Sequence, residues 1–389
     1  MADQTHIEWT DATWNIITGC SVVSPGCTNC YAMRLAGTRL RHHPSRQGLT
    51  IDTKAGPVWN GQVRFNEQWL DQPARWTKPR RIFVCAHGDL FHPDVPFGWV
   101  MRILMVIAMT PHHTYQVLTK RPDRAREFFR RWANVDEEND WGFRNARGPE
   151  EVRAAHPSGR GQLFADMLEA MGQPPPGCAY PAFDWANGMS RWEDVFPNLW
   201  LGVSVEDQCR ADERIPILLD TPAAVRWISA EPLLGPIDLE AAWHGENALD
   251  SECWGDCAWC EKGHRPLHNC QRGKQSEADS VRGRSGLDWV VVGGESGPGA
   301  RPMHPDWVRQ IRDQCAAADV QFLFKQWGAW SPVETWRPGR ATQRAIMLDG
   351  SPVADDAVPQ DVGGQRFVLD GKRAAGRKLD GRLHDGFPE

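Results

Sequence analysis

Short apolar runs recur along the chain, and nearly every one ends in a polar or ionisable residue. Trp14–Thr18 runs into a cysteine-rich loop, Arg81–Cys85 into His87-Gly88-Asp89, and Tyr115–Leu118 into Thr119-Lys120-Arg121-Pro122. Leu199–Val203 runs into Ser204-Val205-Glu206, and Val225–Ile228 into Ser229-Ala230-Glu231-Pro232. Trp289–Val292 runs into Gly293-Gly294-Glu295-Ser296-Gly297, and Gln321–Phe324 into Lys325-Gln326-Trp327-Gly328. Near-continuous apolar runs bounded by Gly, Pro and polar residues are the pattern of strands covered on both faces. Helical stretches lie between them: Gly98–Met109, apolar nearly all round, Pro122–Trp132 with a charged face, Arg214–Asp220 and Asp306–Ala318.

Strands alternating with helices predict an α/β fold with a parallel sheet and right-handed crossovers. In a β/α barrel the C-terminal strand ends meet at one mouth, where active sites are built. Asp89, Lys120, Glu206, Glu231, Glu295 and Lys325 all fall at such ends, which predicts a shared mouth. Gly293-Gly294 permits close backbone approach to a ligand, and Glu295 offers a carboxylate for an amine or a ribose hydroxyl. The segment is not a G-x-G-x-x-G fingerprint, so no dinucleotide follows from it. Lys120, Arg121 and Lys325 suit a carboxylate or phosphate ligand, or equally an ion pair with a neighbouring carboxylate.

Composition narrows the class. The chain has 389 residues and a net charge of −6, so no global basic field advertises long nucleic-acid duplexes, although a local basic groove is compatible with it. Its eleven cysteines are odd in number and clustered. With no secretory segment at the start and no apolar run of about 20 residues, this predicts a soluble, cytoplasmic protein with metal-binding thiols. Most of the twenty tryptophans are expected in the core, with a few left to line a pocket.

The sharpest chemical signal is Gly19-Cys20-Ser-Val-Val-Ser-Pro25-Gly26-Cys27-Thr-Asn-Cys30-Tyr31, a C-x6-C-x2-C spacing. Pro25-Gly26 is a turn signal that folds the longer arm back toward the Cys27–Cys30 bite. Three thiolates leave one position of a four-iron unit open, the arrangement that radical chemistry with S-adenosylmethionine (SAM) requires. A zinc site with a fourth ligand such as His42, or three unrelated buried thiols, accounts for the spacing equally well.

Taken with Trp14-Asn15, Asp89-Leu90-Phe91-His92, Leu118–Pro122, Gly202–Glu206, Arg226–Leu234, Phe324–Gly328 and Ala374–Arg377, the loop resembles the radical SAM superfamily. More closely, the chain is similar to a phage-associated family of uncharacterised three-cysteine-motif proteins. The resemblance implies a partial β/α barrel of six to seven units over residues 1–330, with a [4Fe–4S] cluster on Cys20, Cys27 and Cys30. It places SAM against Asp89, Ser204, Glu206, Gly293, Gly294 and Glu295, and substrate against Lys120, Glu231 and Lys325. It implies a reductant such as a ferredoxin or flavodoxin, and a nucleobase, nucleotide or nucleic acid as substrate. The spacing departs from the usual C-x3-C-x2-C by three inserted residues.

Two insertions and a tail complete the plan. Residues 134–197 read as a surface excursion around a helix over 161–171. Residues 241–286 crowd Cys253, Cys257, Cys260 and Cys270 with His264 and His268, which reads as a zinc knuckle, an auxiliary iron–sulfur cluster or unligated thiols. Residues 331–389 turn polar and predict a small β-hairpin extension carrying the basic stretch Gly371–Lys378. Two other functions fit the same residues: a metal-dependent hydrolase using carboxylates with His87 or His92, and a zinc-bearing nucleic-acid-binding module.

Overall fold

The structure is a computed structural model that describes residues 5–133, 166, 169–173, 196–242, 247–249, 286–335, 342–353 and 363–388. The strands are β1 (Ala12–Trp14), β2 (Ile17–Thr18), β3 (Thr50–Thr53), β4 (Gly56–Trp59), β5 (Arg64–Phe65), β6 (Arg81–Val84), β7 (Thr114–Thr119) and β8 (Leu199–Ser204). They continue as β9 (Val225–Ala230), β10 (Trp289–Gly293), β11 (Gln321–Gln326), β12 (Trp330–Val333), β13 (Gln343–Ile346), β14 (Pro352–Val353) and β15 (Gln365–Leu369). The α-helices are α1 (Tyr31–Gly37), α2 (Phe97–Met109), α3 (Pro122–Ala133), α4 (Gln208–Leu219), α5 (Pro305–Ala317) and α6 (Lys372–Ala375).

Seven strands form one sheet in the order β1-β6-β7-β8-β9-β10-β11. The β1–β6, β6–β7, β9–β10 and β10–β11 ladders are parallel. Strand order that follows chain order is the connectivity of β/α barrels, and differs from doubly-wound sheets, where the order reverses at a switch point. The fold is therefore α/β, as the alternation of runs predicts. By contact density the chain divides into two compact units. The first comprises Met1–Val22, Ala32–Gly202 and Thr221–Ala224; the second comprises Val23–Tyr31, Val203–Asp220 and Val225–Glu389.

In the first unit, Trp14, Ile82, Val84, Tyr115 and Val117 are buried on the strands. Helix α2 is apolar over most of its circumference because it is buried over most of it: Ile103 through Ile107 are all fully enclosed. Each such side chain contributes about 1.5–3 kcal/mol relative to exposure. The first predicted strand is in fact two. β1 pairs with β6, whereas Ile17–Thr18 leaves to pair with Arg64–Phe65. Asn15 stands at the break, its Oδ1 accepting the His87 N–H at 3.0 Å, and Asn66 Nδ2 donates to the Asn15 and Ile16 carbonyls.

In the second unit Trp227 and Trp289 are register neighbours on β9 and β10, fully buried, with ring centroids 5.2 Å apart. Trp307, Val308 and Ile311 of α5 are equally enclosed. Helix α4 starts six residues before the predicted Arg214, because Asp207 caps it by accepting the Arg210 N–H at 2.9 Å. The predicted C-terminal hairpin is a four-stranded antiparallel sheet, β12-β15-β13-β14. Its register joins Trp330–Val333 to Arg366–Leu369 across more than thirty intervening residues, and local turn signals do not announce such a pairing. The helix expected at 161–171 and the cysteine-rich segment with Cys253, Cys257, Cys260 and Cys270 lie largely or wholly outside the described residues. No helix among the described residues is long and apolar enough to cross a membrane.

Candidate functional site

In the first unit, the cysteine loop leaves β2 through Gly19, whose φ is +94°. A Cβ there would lie 2.1 Å from the Gln62 carbonyl oxygen, so no side chain fits. Gly19 bridges Gly88, its N–H donating to the His87 carbonyl at 3.1 Å, and this brings Cys20 beside the end of β6.

Asp89 is 4% exposed and fully engaged. Its Oδ1 accepts from the Phe91 N–H at 2.9 Å and Thr119 Oγ1 at 2.8 Å. Its Oδ2 accepts from the Lys120 N–H at 3.2 Å and Arg121 Nη1 at 2.7 Å. A carboxylate has about four lone-pair sites, and here all four have donors. Asp89 therefore acts as the holder of Arg121. From that seat Arg121 Nη1 also donates to Cys20 Sγ at 3.6 Å, and Nη2 donates to the Ser21 carbonyl at 3.1 Å and Ser21 Oγ at 2.8 Å. His92, 2% exposed, accepts the Asp94 N–H on Nδ1 at 3.2 Å. Its Nε2 then carries the proton and donates to Ser21 Oγ at 3.0 Å. Burial pushes the Cys20 thiol up to about 12, the Asp89 carboxylate adds to this, and Arg121 opposes it. His92 is held below the usual imidazole range by burial and by Arg121. His87 falls to about 3, chiefly through burial and then through Arg46, whose Nη2 lies 2.9 Å from its Nδ1.

In the second unit, Pro25–Cys27 form a 3-10 turn and the Cys30 N–H donates to the Cys27 carbonyl at 3.2 Å. Two strand-end carboxylates hold this segment. Glu206, fully buried, accepts the Gly26 N–H on Oε1 at 3.2 Å and Arg214 Nη1 on Oε2 at 3.1 Å. Arg214, 2% exposed, also donates to the Ser204 carbonyl at 2.8 Å. Glu295 is gripped by Arg301 through Nη2 at 2.6 Å and Nε at 2.9 Å, and it accepts Asn29 Nδ2 at 3.0 Å. Arg301 Nη2 donates onward to the Pro25 carbonyl at 3.0 Å.

Beside these, Lys325 Nζ lies 2.8 Å from Glu231 Oε1 and 3.1 Å from Oε2, linking the ends of β9 and β11. The Gly293-Gly294 pair is explained by this packing. A Cβ on Gly293 would meet Glu231 Oε1 at 2.8 Å, and one on Gly294 would meet the Trp327 carbonyl at 2.0 Å. What approaches the backbone closely is the protein itself. Arg377, from the basic tail stretch, donates through Nε to the Lys325 carbonyl at 2.9 Å, whereas Lys372, Arg373 and Lys378 face solvent.

The predicted residues thus form separate groupings within the units: Cys20, Asp89 and Lys120 in the first; Cys27, Cys30, Ser204, Glu206 and Glu295, and then Glu231 with Lys325 and Gly293, in the second. Arg214, Arg301, Asn29 and Ser21 hold these groupings together without belonging to any motif. The only local signal was spacing, since Arg214 sits on the helix that follows Glu206, and Arg301 lies six residues beyond Glu295. None of Cys20, Cys27 and Cys30 is in a disulfide. Among the described residues no three Cys, His, Asp or Glu side chains are drawn together as a metal-binding group. The match to an iron–sulfur ligand set is one of donor chemistry: three soft ligands outside any disulfide within eleven residues on one connection, with the last adjoining the start of α1.

The fold and loop together define an α/β protein with a parallel sheet in chain order and a three-cysteine connection ahead of its first α-helix. The family model described as "Protein of unknown function (DUF5131)" matches residues 4–388, and the chain belongs to that family. No curated protein and no solved structure matches it.

Proposed function

We propose that this protein is a radical SAM enzyme in which Cys20, Cys27 and Cys30 hold a [4Fe–4S] cluster with one iron open to SAM. The observation that carries the reading is the position of the loop. Three cysteines outside any disulfide occupy the connection between a strand end and the first α-helix of a parallel β/α chain. On this reading the seven strands are the wall of a partial barrel of radical SAM type.

A cluster held by these cysteines would supply the one electron for reductive cleavage of SAM and hence for hydrogen-atom abstraction from substrate. The chain's own residues prepare for this. Glu206 and Glu295 fix the backbone from Pro25 to Asn29 and so set the Cys27–Cys30 bite. Arg121 fixes the Cys20 arm, with Asp89 as its seat rather than as a contact for the SAM amino group. Glu231 and Lys325, only 16% and 15% exposed, form the polar pair we assign to the substrate side, and Lys120 is the third such residue.

The test is anaerobic purification. The wild-type chain should be brown and hold about four irons, lost in the triple Cys20/Cys27/Cys30→Ala variant. With SAM and dithionite it should release 5′-deoxyadenosine, and nucleotides and oligonucleotides are the first substrates to add. A colourless chain, or an iron-loaded one that leaves SAM intact, sinks the reading.

A further inference from the structure

Arg121 brings a cation and an N–H donor to a cysteine of the loop. Its side chain is 9% exposed and the guanidinium plane is fixed on two sides, by Asp89 Oδ2 at 2.7 Å and by Ser21 at 2.8 and 3.1 Å. Ser21 is itself steadied by His92 Nε2 at 3.0 Å. The Nη1–H left over from this clamp is directed at Cys20 Sγ, at an N···S distance of 3.6 Å. Lysine would supply charge but not this fork, since holding Asp89, Ser21 and Cys20 together takes donors on two nitrogens of one plane. Asp89 is equally specialised, because its remaining acceptor positions are filled by Phe91, Thr119 and Lys120 and it cannot swing away.

We propose that Arg121 is a positioning residue that tunes reduction of the cluster by donating an N–H to the Cys20 sulfur, a role that rests on the radical SAM reading. Reduction adds one electron and no proton; the electron comes from a low-potential one-electron donor, dithionite in the assay. The added negative charge is shared with the cysteine sulfurs. An N–H donor and a cation held against one of them stabilise the reduced state more than the oxidised state, which raises the midpoint potential. Asp89 acts in the opposite sense, as a nearby fixed negative charge, while keeping the guanidinium in place.

The experiment is anaerobic redox titration of iron-loaded wild type, Arg121→Gln, Arg121→Lys and Asp89→Asn, followed by visible absorption and the electron paramagnetic resonance of the reduced cluster. At a fixed low potential, Arg121→Gln should lower the ratio of reduced to oxidised cluster about tenfold, equivalent to about 59 mV for one electron. Arg121→Lys, which keeps the charge but not the fork, should move the same way by less. Asp89→Asn, which removes both a nearby negative charge and the seat of Arg121, has two opposed effects and should shift the potential by less than Arg121→Gln. A purely structural brace would shift none of the three potentials, or would lose iron in all three variants, and either result overturns the proposal. So does a larger shift in Asp89→Asn than in Arg121→Gln. A wild type without iron overturns the radical SAM reading and this proposal together, whereas a brown wild type with unshifted variants overturns only the role of Arg121.

Discussion

The two ends of the cysteine loop are held by different means. At Cys20 a guanidinium reaches the sulfur itself; at Cys27–Cys30 the carboxylates and Arg301 reach backbone groups and the Asn29 amide. The first arrangement can change what a sulfur does electronically, because charge and an N–H lie against it. The second changes where the sulfurs are, because it restrains the chain that carries them. Burial differs as well. Glu206 and Arg214 are 0% and 2% exposed at the side chain, whereas Arg301 keeps 32% of its side chain in solvent.

That difference predicts unequal costs. Arg214→Leu should destabilise most, by about 3–5 kcal/mol, because it strips the guanidinium from a fully buried carboxylate. Arg301→Leu should cost less, about 1–3 kcal/mol, since water can replace part of what is lost. Urea midpoints at unchanged m-value measure both, and a larger loss for Arg301→Leu would overturn the contrast.

Acid should next separate the regions. His87 titrates near 6.5 when unfolded and near 3 when folded, so the unfolded chain binds the extra proton between those values. Stability from this group is complete above about pH 6.5 and falls by up to about 1.4 kcal/mol per pH unit as pH drops toward 3. His87→Gln should flatten that slope. In the second unit Asp380 is drawn down to about 2 by hydrogen bonds from Arg309 and Arg312. Its contribution is present above its ordinary value near 4 and is lost only as pH falls through about 2. The carboxylate is 38% exposed, so Asp380→Asn should change neutral-pH stability by no more than about 1 kcal/mol.

Six of the seven central strands and four of the helices were legible in the sequence, because apolar runs and helical periodicity report burial directly. Helix α3 was expected at 122–132 and spans Pro122–Ala133; α5 was expected at 306–318 and spans Pro305–Ala317. The division of Trp14–Thr18 into β1 and β2 was not legible, since both halves are apolar and Asn66, fifty residues away, decides where the chain turns. For the site, the strand-end positions of Asp89, Glu206, Glu231, Glu295 and Lys325 were readable, and their partners were not. Gly293-Gly294 shows why: the pattern announces close approach, but only packing reveals that Glu231 and Trp327 are what comes near.

By itself the sequence determined the period, order and burial of the α/β elements, the family, and the set of three thiols on one connection. Those properties follow from local composition and spacing, which act over a few residues. Only the tertiary structure decided which ion pairs with which: Asp89 with Arg121, Glu206 with Arg214, Glu295 with Arg301 and Glu231 with Lys325. A charged side chain buried at a strand end must find an opposite charge or enough donors, and several lie within reach along the chain. Which one it meets is set by the geometry of the sheet and its helices, and that geometry gave Cys20 a guanidinium at its sulfur.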